Sequence, residues 1–210
     1  MGKVFFSVSM SLDGFIAPEH MKLNEPVERW LPRWLELQKW VSEQRFFREN
    51  LKLGEGGETG PSNRLLEATF GRTGASIMGK RMFDGGEHNW PEEAPFHTAV
   101  FVLTHQRRDP WERPGGTTFY FVNDGIERAL SRAREAAGER DVRIAGGADA
   151  IRQYLNAGLV DEFTISLSPV LFGTGTSLFD GVDPARVKPQ VVEAIHMPDV
   201  THLTYAVRRT

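Results

Sequence analysis

Apolar and polar positions alternate in regular patterns along most of this 210-residue chain, and the spacing predicts its elements. A two-residue alternation rich in Val, Phe and Ser is typical of a strand, and the first such run covers residues 3–10. Further strands are predicted at residues 75–78, 99–103, 117–122, 142–145 and 162–168. The last two runs, residues 187–195 and 200–208, are separated by a short turn and should pair antiparallel.

Helical spacing begins near residue 27, where apolar residues recur every three or four positions. We expect one helix over residues 27–51 with a heavy aromatic face, because Trp30, Trp34 and Trp40 lie on it. Such a face is more often buried in a core than used for a ligand. The glycine-rich residues 54–60 (GEGGETG) predict a mobile loop or linker.

Other helices are expected between the strands. Ser62 is the expected cap of a helix reaching residue 70, and Asp124 that of a helix reaching residue 137. Two more are expected from Lys80 and directly after Gly147. Strands that alternate with helices predict an α/β fold with a mostly parallel central sheet flanked by helices, closed by the antiparallel hairpin. Ligands of such sheets bind outside the carboxyl ends of the strands, so four turns should gather there. They follow Met10, Met78, Leu103 and Ala145.

Composition narrows the class of protein. Hydrophobic residues at 40% and charged residues at 25% are ordinary globular values, and we expect a single domain over residues 1–210. The net charge of −3 gives no support to a nucleic-acid partner. No Cys is present to form a disulfide, a thiolate nucleophile or a Cys-ligated metal site. We found no stretch long enough to span a membrane, and we expect a cytoplasmic protein.

The turn at Gly146-Gly147, between a predicted strand and a predicted helix, has the chemistry of a phosphate-binding site. Glycine lets the backbone approach a ligand closely, and the first amides of the helix carry the positive end of its dipole. The turn therefore indicates a nucleotide-type cofactor. The alternative is an ordinary tight turn, and the G-x-G-x-x-G fingerprint is absent.

Two basic turns follow neighbouring predicted strands. Gly79-Lys80-Arg81 resembles the end of a P-loop, but Arg81 replaces the hydroxyl residue that would hold magnesium, so we reject an NTPase. These cations could instead bind a phosphate monoester, such as the one that distinguishes NADP from NAD. Residues 104–108 (THQRR) form the second basic turn, and the two could flank one anion. The alternative is a pair of solvated basic turns.

Candidate acid–base residues are Asp13, Asp84 and Asp149, and each also has a structural explanation. Asp13 and Asp84 each lie beside glycine in an expected turn, whereas Asp149 lies in a first helical turn, where it stabilises the dipole. The histidines lack metal-ligand spacing, with His196 and His202 the nearest pair, and we expect no metal site. A G-x-S-x-G motif is also absent.

Three segments together resemble a known family: residues 11–17 (SLDGFIA), residues 78–81 (MGKR) and the block of residues 144–179. They are similar to the dihydrofolate-reductase-like superfamily, and most of all to the C-terminal reductase domain of the bifunctional riboflavin-biosynthesis deaminase–reductase, here without the deaminase domain. The motif order matches over nearly the full chain except for about residues 18–60, a variable helical insertion.

The resemblance implies a homodimeric reductase that uses NADPH and transfers a hydride. It places Met10 near the nicotinamide half, Gly79 and Lys80 on phosphates, and Thr104 and His105 near the adenosine end. It matches Asp84 to the family aspartate that follows the Gly-Lys turn. We expect the catalytic proton to come from Asp84, Asp13 or water. The other cofactor positions that it implies are Ala17, Met78, Arg81, Gly146, Gly147, Ala148, Asp149 and Ile151.

One departure from the family concerns the substrate. The family has a glutamate before the Gly-Gly pair that serves the substrate, whereas this chain has Ala145. The substrate side of the site is therefore expected to differ from that of the family. From the resemblance we expect a small heteroaromatic or imine-type substrate, similar to a pteridine, a flavin or a ribosylamino-pyrimidine. A non-catalytic protein that binds such a molecule is the alternative. A third possibility is a structural relic whose cofactor site is closed by the Trp-rich helix.

Overall fold

The computed structural model describes residues 2–21 and 25–208, which form eleven strands and seven α-helices. The strands are β1 (Val4–Ser11), β2 (Phe15–Pro18), β3 (Thr73–Gly79), β4 (Ala99–Leu103), β5 (Trp111–Arg113), β6 (Thr117–Val122), β7 (Asp141–Gly146), β8 (Glu162–Ser168), β9 (Gly175–Ser177), β10 (Lys188–Met197) and β11 (Val200–Arg208). The helices are α1 (Leu31–Leu37), α2 (Lys39–Ser42), α3 (Arg45–Asn50), α4 (Pro61–Arg72), α5 (Lys80–Glu87), α6 (Ile126–Ala137) and α7 (Ala148–Asn156).

Nine strands form one sheet in the order β10-β11-β8-β1-β7-β3-β4-β6-β5. The six strands from β8 to β6 are parallel, and β10 and β11 pair antiparallel at one edge. The predicted α/β class, the parallel sheet and the C-terminal hairpin are therefore confirmed. A small separate sheet joins β2 to β9. Both β5 and β9 have only three residues, too few to show an alternation in the sequence.

The central sheet opens between β1 and β7. β1 pairs with β8 from Phe5 to Ser11, but its pairing with β7 ends where Phe5 meets Arg143. Beyond that point the two parallel strands diverge toward their carboxyl ends. A crevice between strands at this edge is the position where open α/β sheets bind ligands.

The two faces of the sheet are covered differently. The main core lies under α6 and α7 and includes Val142 and Ile144 of β7. The opposite face carries two separate clusters. The insertion cluster consists of Trp40, Val41, Leu66 and Val200. The aromatic cluster centres on Phe83 and consists of Met78, Phe83, Ala94, Val100, Val102, Phe119 and Ala145.

The single helix expected over residues 27–51 is wrong, because the segment forms a 3-10 turn and three short helices. Gln38 and Gln44 lie between these helices, and Gln44 is extended, with φ −78° and ψ 135°. These breaks let Leu37 and Trp40 become buried against the sheet. They also let the extended backbone of Gln44 form a β-bridge with Glu58.

Both predicted N-caps are also wrong. The N-cap of α4 is Gly60 and that of α6 is Gly125, neither with a side-chain cap. Ser62 is drawn inward, where its Oγ lies 2.9 Å from Nε2 of His202. Asp124 instead lies 3.5 Å from Nε of Arg128. A tertiary partner thus holds Ser62 away from the capping role, whereas Asp124 pairs locally with a residue one turn further along α6.

Candidate active site

Three glycines converge where β3 and β7 end. Gly146 has φ +137°, a conformation that L side chains rarely adopt, and a Cβ there would lie 3.0 Å from Sδ of Met82. A Cβ on Gly79 would lie 3.7 Å from Cβ of Ala150 and 3.9 Å from the backbone N of Gly147. Gly147 is the N-cap of α7, with an ordinary φ of −51°, and a Cβ on it would meet nothing within 4 Å. The turn therefore presents free backbone and the positive end of a helix dipole to open space.

The first turn of α5 holds the basic residues beside this backbone. Lys80 Nζ forms an ion pair with the carboxylate of Asp84, one turn further along the helix. Arg81 is exposed. The Gly85–Gly86 pair that suggested a turn lies inside α5, where a Cβ on Gly86 would be 2.1 Å from Cζ2 of Trp90. Gly86 therefore allows close packing against Trp90 and does not form a turn. Asp84 lies within one continuous helix.

The second basic turn follows β4 at the same edge of the sheet. The Thr104 backbone N–H donates to the carbonyl of Val122 at 3.0 Å, and its Oγ1 accepts from the Gln106 N–H at 3.0 Å. His105 is exposed. Arg108 pairs with Glu87 at 2.7 Å and lies over aromatic rings, including that of Phe121 at 4.7 Å. Arg108 therefore closes the aromatic cluster.

Asp13 joins two loops at the carboxyl ends of β1 and β8. Ser11 Oγ donates to Oδ1 at 2.6 Å, and the Gly173 N–H donates to Oδ2 at 2.7 Å. The Phe172 N–H donates to both oxygens, at 3.1 and 3.0 Å. These hydrogen bonds, that from Ser11 first, lower the pKa of Asp13 to about 2. An ionised carboxylate held in this way is a poor proton donor at neutral pH.

The remaining sequence-predicted residues either have other partners or are buried. Met10 is half-buried on β1, and Ala17 pairs with Thr176 in the small sheet. Asp149 Oδ1 lies 3.1 Å from NH1 of Arg152, whose Nε donates to the Leu178 carbonyl at 3.2 Å. The side chains of three others are buried in the cores, which leaves only their backbone for a ligand: Met78, Ala148 and Ile151.

Arg143 was missed by reasoning from the sequence. It lies on the same face of β7 as Ala145, beside the opening, and its Nε is buried without a hydrogen-bond partner among the described residues. The signal was a single charged residue inside an otherwise apolar run, VRIA. Solvated strand edges give the same pattern, so its meaning depends on the fold.

A layer of hydroxyl groups connects the insertion cluster to the sheet. Trp40 Nε1 donates to Ser9 Oγ at 3.0 Å, and Ser168 Oγ donates to the Leu37 carbonyl at 3.0 Å. The Nδ1 of His202 lies 2.8 Å from Ser166 Oγ, in addition to its contact with α4. Burial lowers the pKa of His202 to about 4. The insertion therefore packs on β1, β8 and β11, away from the glycines of β3 and β7.

Two further kinds of feature are absent from residues 2–21 and 25–208. No three His, Cys, Asp or Glu side chains there come together in a way that could hold a metal ion. In the same ranges, no helix combines the length and the apolar character needed to cross a bilayer.

Comparison with known proteins identifies the family. The model of the RibD C-terminal domain matches residues 2–203, so the chain belongs to the RibD C-terminal domain family. This membership confirms the resemblance found in the sequence and supports an oxidoreductase of the reductase type.

The chain is also similar to individual proteins. The uncharacterized protein YyaP of Bacillus subtilis is 41% identical over 59 residues, which are 28% of this chain and only 31% of that protein. A Shewanella sp. PV-4 structure, provisionally described as a riboflavin biosynthesis protein, has a TM-score of 0.65 at 21% identity over 99% of both chains. Dihydrofolate reductase from Enterococcus faecalis, solved with NADP(H), has a TM-score of 0.55 at 13% identity, covering 98% of this chain and 96% of that one. The two structures confirm the dihydrofolate-reductase-like fold.

Proposed function

We propose that this chain is an NADPH-dependent reductase that transfers a hydride to a small heteroaromatic or imine-type substrate, similar to a pteridine, a flavin or a ribosylamino-pyrimidine. The observation that carries the proposal is the convergence of Gly79, Gly146 and Gly147 at the N-terminus of α7, with open space in front of Gly147. Backbone exposed in this way suits a pyrophosphate.

The residues around the opening fit the parts of NADPH. The backbone from Gly146 to Asp149 would hold the pyrophosphate, and Lys80 and Arg81 would pair with phosphate oxygens. Thr104 and His105 lie on the side of β4 and would approach the adenosine end. Met10 lies on β1, across the opening from β7, and Ala17 lies on β2; both would contact the nicotinamide end. When bound, the cofactor supplies the hydride.

The protein contributes mainly position. Holding a flat acceptor beside the opening converts an encounter between two molecules into a reaction within one complex. Asp84 or a water molecule would provide the proton. Asp13 holds the loop at Phe172 and Gly173 against the β1–β2 turn, so we assign it a positioning role.

A non-catalytic binding protein is the second candidate. It is favoured by the partners of the two candidate acids, since Asp13 accepts four hydrogen bonds and Asp84 is paired with Lys80. Ala145, in place of the family's carboxylate, favours it as well. Consumption of NADPH above background with any of the three substrate types would exclude this candidate.

Titration with NADPH and NADH, followed by quenching of tryptophan fluorescence, tests the cofactor assignment. We expect saturable binding with NADPH preferred. Gly147→Ala should weaken NADPH binding by about tenfold or more. The new methyl group would occupy the space in front of the turn and push the pyrophosphate away from the backbone N–H groups that bind it. The same variant should leave the unfolding temperature unchanged, since Gly147 has an ordinary φ and free space around it.

Gly71→Ala is the matched control. Gly71 lies in α4, and a Cβ on it also meets nothing within 4 Å, so this variant should bind NADPH like the wild type. Equal affinity of Gly147→Ala and wild type, or no binding of either nucleotide, would contradict the proposal.

We further propose a cytoplasmic homodimer. Support for the dimer comes from β10, the edge strand of the sheet, on which Val191 and Val192 are 54% and 56% exposed. Exposed apolar edge strands are surfaces that proteins commonly cover with another chain.

A further inference from the structure

Arg143 is a cation with little compensation from its surroundings. Its guanidinium lies 4.6 Å from the centre of the Phe70 ring, and the charged neighbour that most affects it is another cation, Arg72. The nearby carboxylates already serve Arg72, whose NH1 lies 2.8 Å from Glu162 and 3.4 Å from Asp141. Burial first, and repulsion by Arg72 second, lower the pKa of Arg143 to about 10, so it stays charged at neutral pH.

The position of Arg143 ties it to the candidate active site. It is the last residue of β7 that pairs with β1, so it lies at the base of the opening between these strands. Two residues further along the same face is Ala145, about 7 Å away at the usual rise per strand residue. On its other side, Arg143 pairs in register with Ser76 of β3.

The last turn of α4 contacts Arg143 through Phe70, and two separately packed clusters lie on either side of it. The insertion cluster packs over β8 and β11, and the aromatic cluster over β3, β4 and β6. Arg143 lies between them and is half-buried. A desolvated cation without a hydrogen-bonded anion is costly, and a ligand oxyanion would remove that cost.

We propose that Arg143 binds an oxyanion, a carboxylate or a phosphate, carried by the substrate. The inference rests on the proposed reductase function and specifies its substrate class. The charge at this face is then the reverse of that expected for the family, with a neutral residue at 145 and a cation at 143. An acidic flat ring fits such a site better than a neutral one.

The test measures the unfolding temperature as a function of benzoate concentration and, in a separate series, of inorganic phosphate concentration. Both series are run at constant ionic strength and without nucleotide. We expect a saturable rise for at least one of them in the wild type. Arg143→Met should weaken the apparent affinity by about tenfold or more, and Arg143→Lys by less, because lysine keeps the charge but loses the two-pronged geometry. A response to benzoate alone indicates a carboxylate substrate, and a response to phosphate alone a phosphorylated one.

Arg134→Met is the matched control. The Nε of Arg134 is also buried without a partner, but Arg134 lies on α6, which covers the opposite face of the sheet. This variant should keep the response of the wild type. The ligand-free Arg143→Met protein should unfold at the same temperature as the wild type or higher, since no hydrogen bond is lost.

Three results would overturn the inference: no saturable response to either anion, an equal response in Arg143→Met, or a fall of several degrees in its ligand-free unfolding temperature. NADPH affinity is measured separately on the same variants. If the wild type does not bind NADPH, the proposed reductase function is overturned. If NADPH binds but the anion response is absent, only the role of Arg143 is overturned.

Discussion

At the scale of single residues, the partners of a charged side chain decide what it can do. Asp13 and Asp84 have the same chemistry, yet Asp13 accepts hydrogen bonds from Ser11 and a distant loop, and Asp84 pairs with Lys80. The low pKa of Asp13 suits a fixed acceptor that connects loops. Asp84 lies beside the proposed cofactor site, and this position makes it the better candidate for proton transfer.

Cofactor choice is predicted to depend on Lys80 and Arg81. Replacing both by Ala should weaken NADPH much more than NADH, by about tenfold or more, because a charge-assisted contact to the 2′-phosphate is worth about 1.5–3 kcal/mol. Fluorescence titration of both nucleotides measures the ratio. Arg64→Ala, which removes an exposed arginine from α4, is the control and should change neither affinity. If the affinities for NADPH and NADH fall by the same factor, Lys80 and Arg81 do not recognise the 2′-phosphate.

At the scale of elements, the helical insertion shows how packing overrides periodicity. Its apolar residues have helical spacing, but the chain breaks at Gln38 and Gln44 so that Trp40 can donate to Ser9 on the sheet. The insertion contacts β1, β8 and β11 and leaves the glycines of β7 free. A relic closed by this segment is therefore not supported, and deleting residues 26–52 should unfold the protein, because Leu37 and Trp40 are buried.

The His202 contacts predict a pH dependence of stability. Its pKa is about 4 in the folded protein and about 6.5 in the unfolded chain, so below pH 6.5 the unfolded state takes up the proton first. Stability should fall as the pH drops from about 6.5 toward 4, by on the order of 2–3 kcal/mol from this group. Urea unfolding at pH 7 and pH 5 should show a smaller change in His202→Gln than in the wild type.

His196→Gln is the control for that measurement. His196 lies on the same hairpin and is exposed, and its Nδ1 lies 3.1 Å from Thr201 Oγ1. Its removal should leave the pH dependence as in the wild type. An unchanged pH dependence in His202→Gln would contradict the role assigned to burial.

At the scale of the whole molecule, the sheet determines both where the ligand site lies and where a second copy could bind. One end of the sheet is the short strand β5, and the other is the ten-residue strand β10. Most of β10 is exposed on both faces. The proposed active site lies in the middle of the sheet, so a partner at β10 would not cover it.

Dimerisation through β10 is predicted to depend on Val191 and Val192. Replacing both by Lys should give a monomer with an unchanged unfolding temperature, because both side chains are exposed within one chain. Size-exclusion chromatography with light scattering measures the mass. The control is Leu53→Lys, since Leu53 is 52% exposed but lies outside the sheet. A monomeric wild type, or a dimer in the double variant, would contradict this interface.

Local spacing in the chain was enough to predict the main strands, the α/β class and the Gly146-Gly147 turn. These features depend on residues that are neighbours in sequence, and periods of two and of three to four residues are properties of the backbone itself. The family motifs added the expected fold, which the structure confirms. The roles of the candidate site residues stay predictions until the titrations are made.

The features that the sequence did not predict depend on contacts between distant segments. The opening between β1 and β7, the loop held by Asp13 from 159 residues away and the unpaired charge of Arg143 all arise only when the sheet is assembled. The broken insertion and the inward position of Ser62 have the same origin, since Trp40 and Ser62 both bond to residues that are distant in sequence. Such partners leave no periodic signal in the sequence, so only tertiary packing selects them.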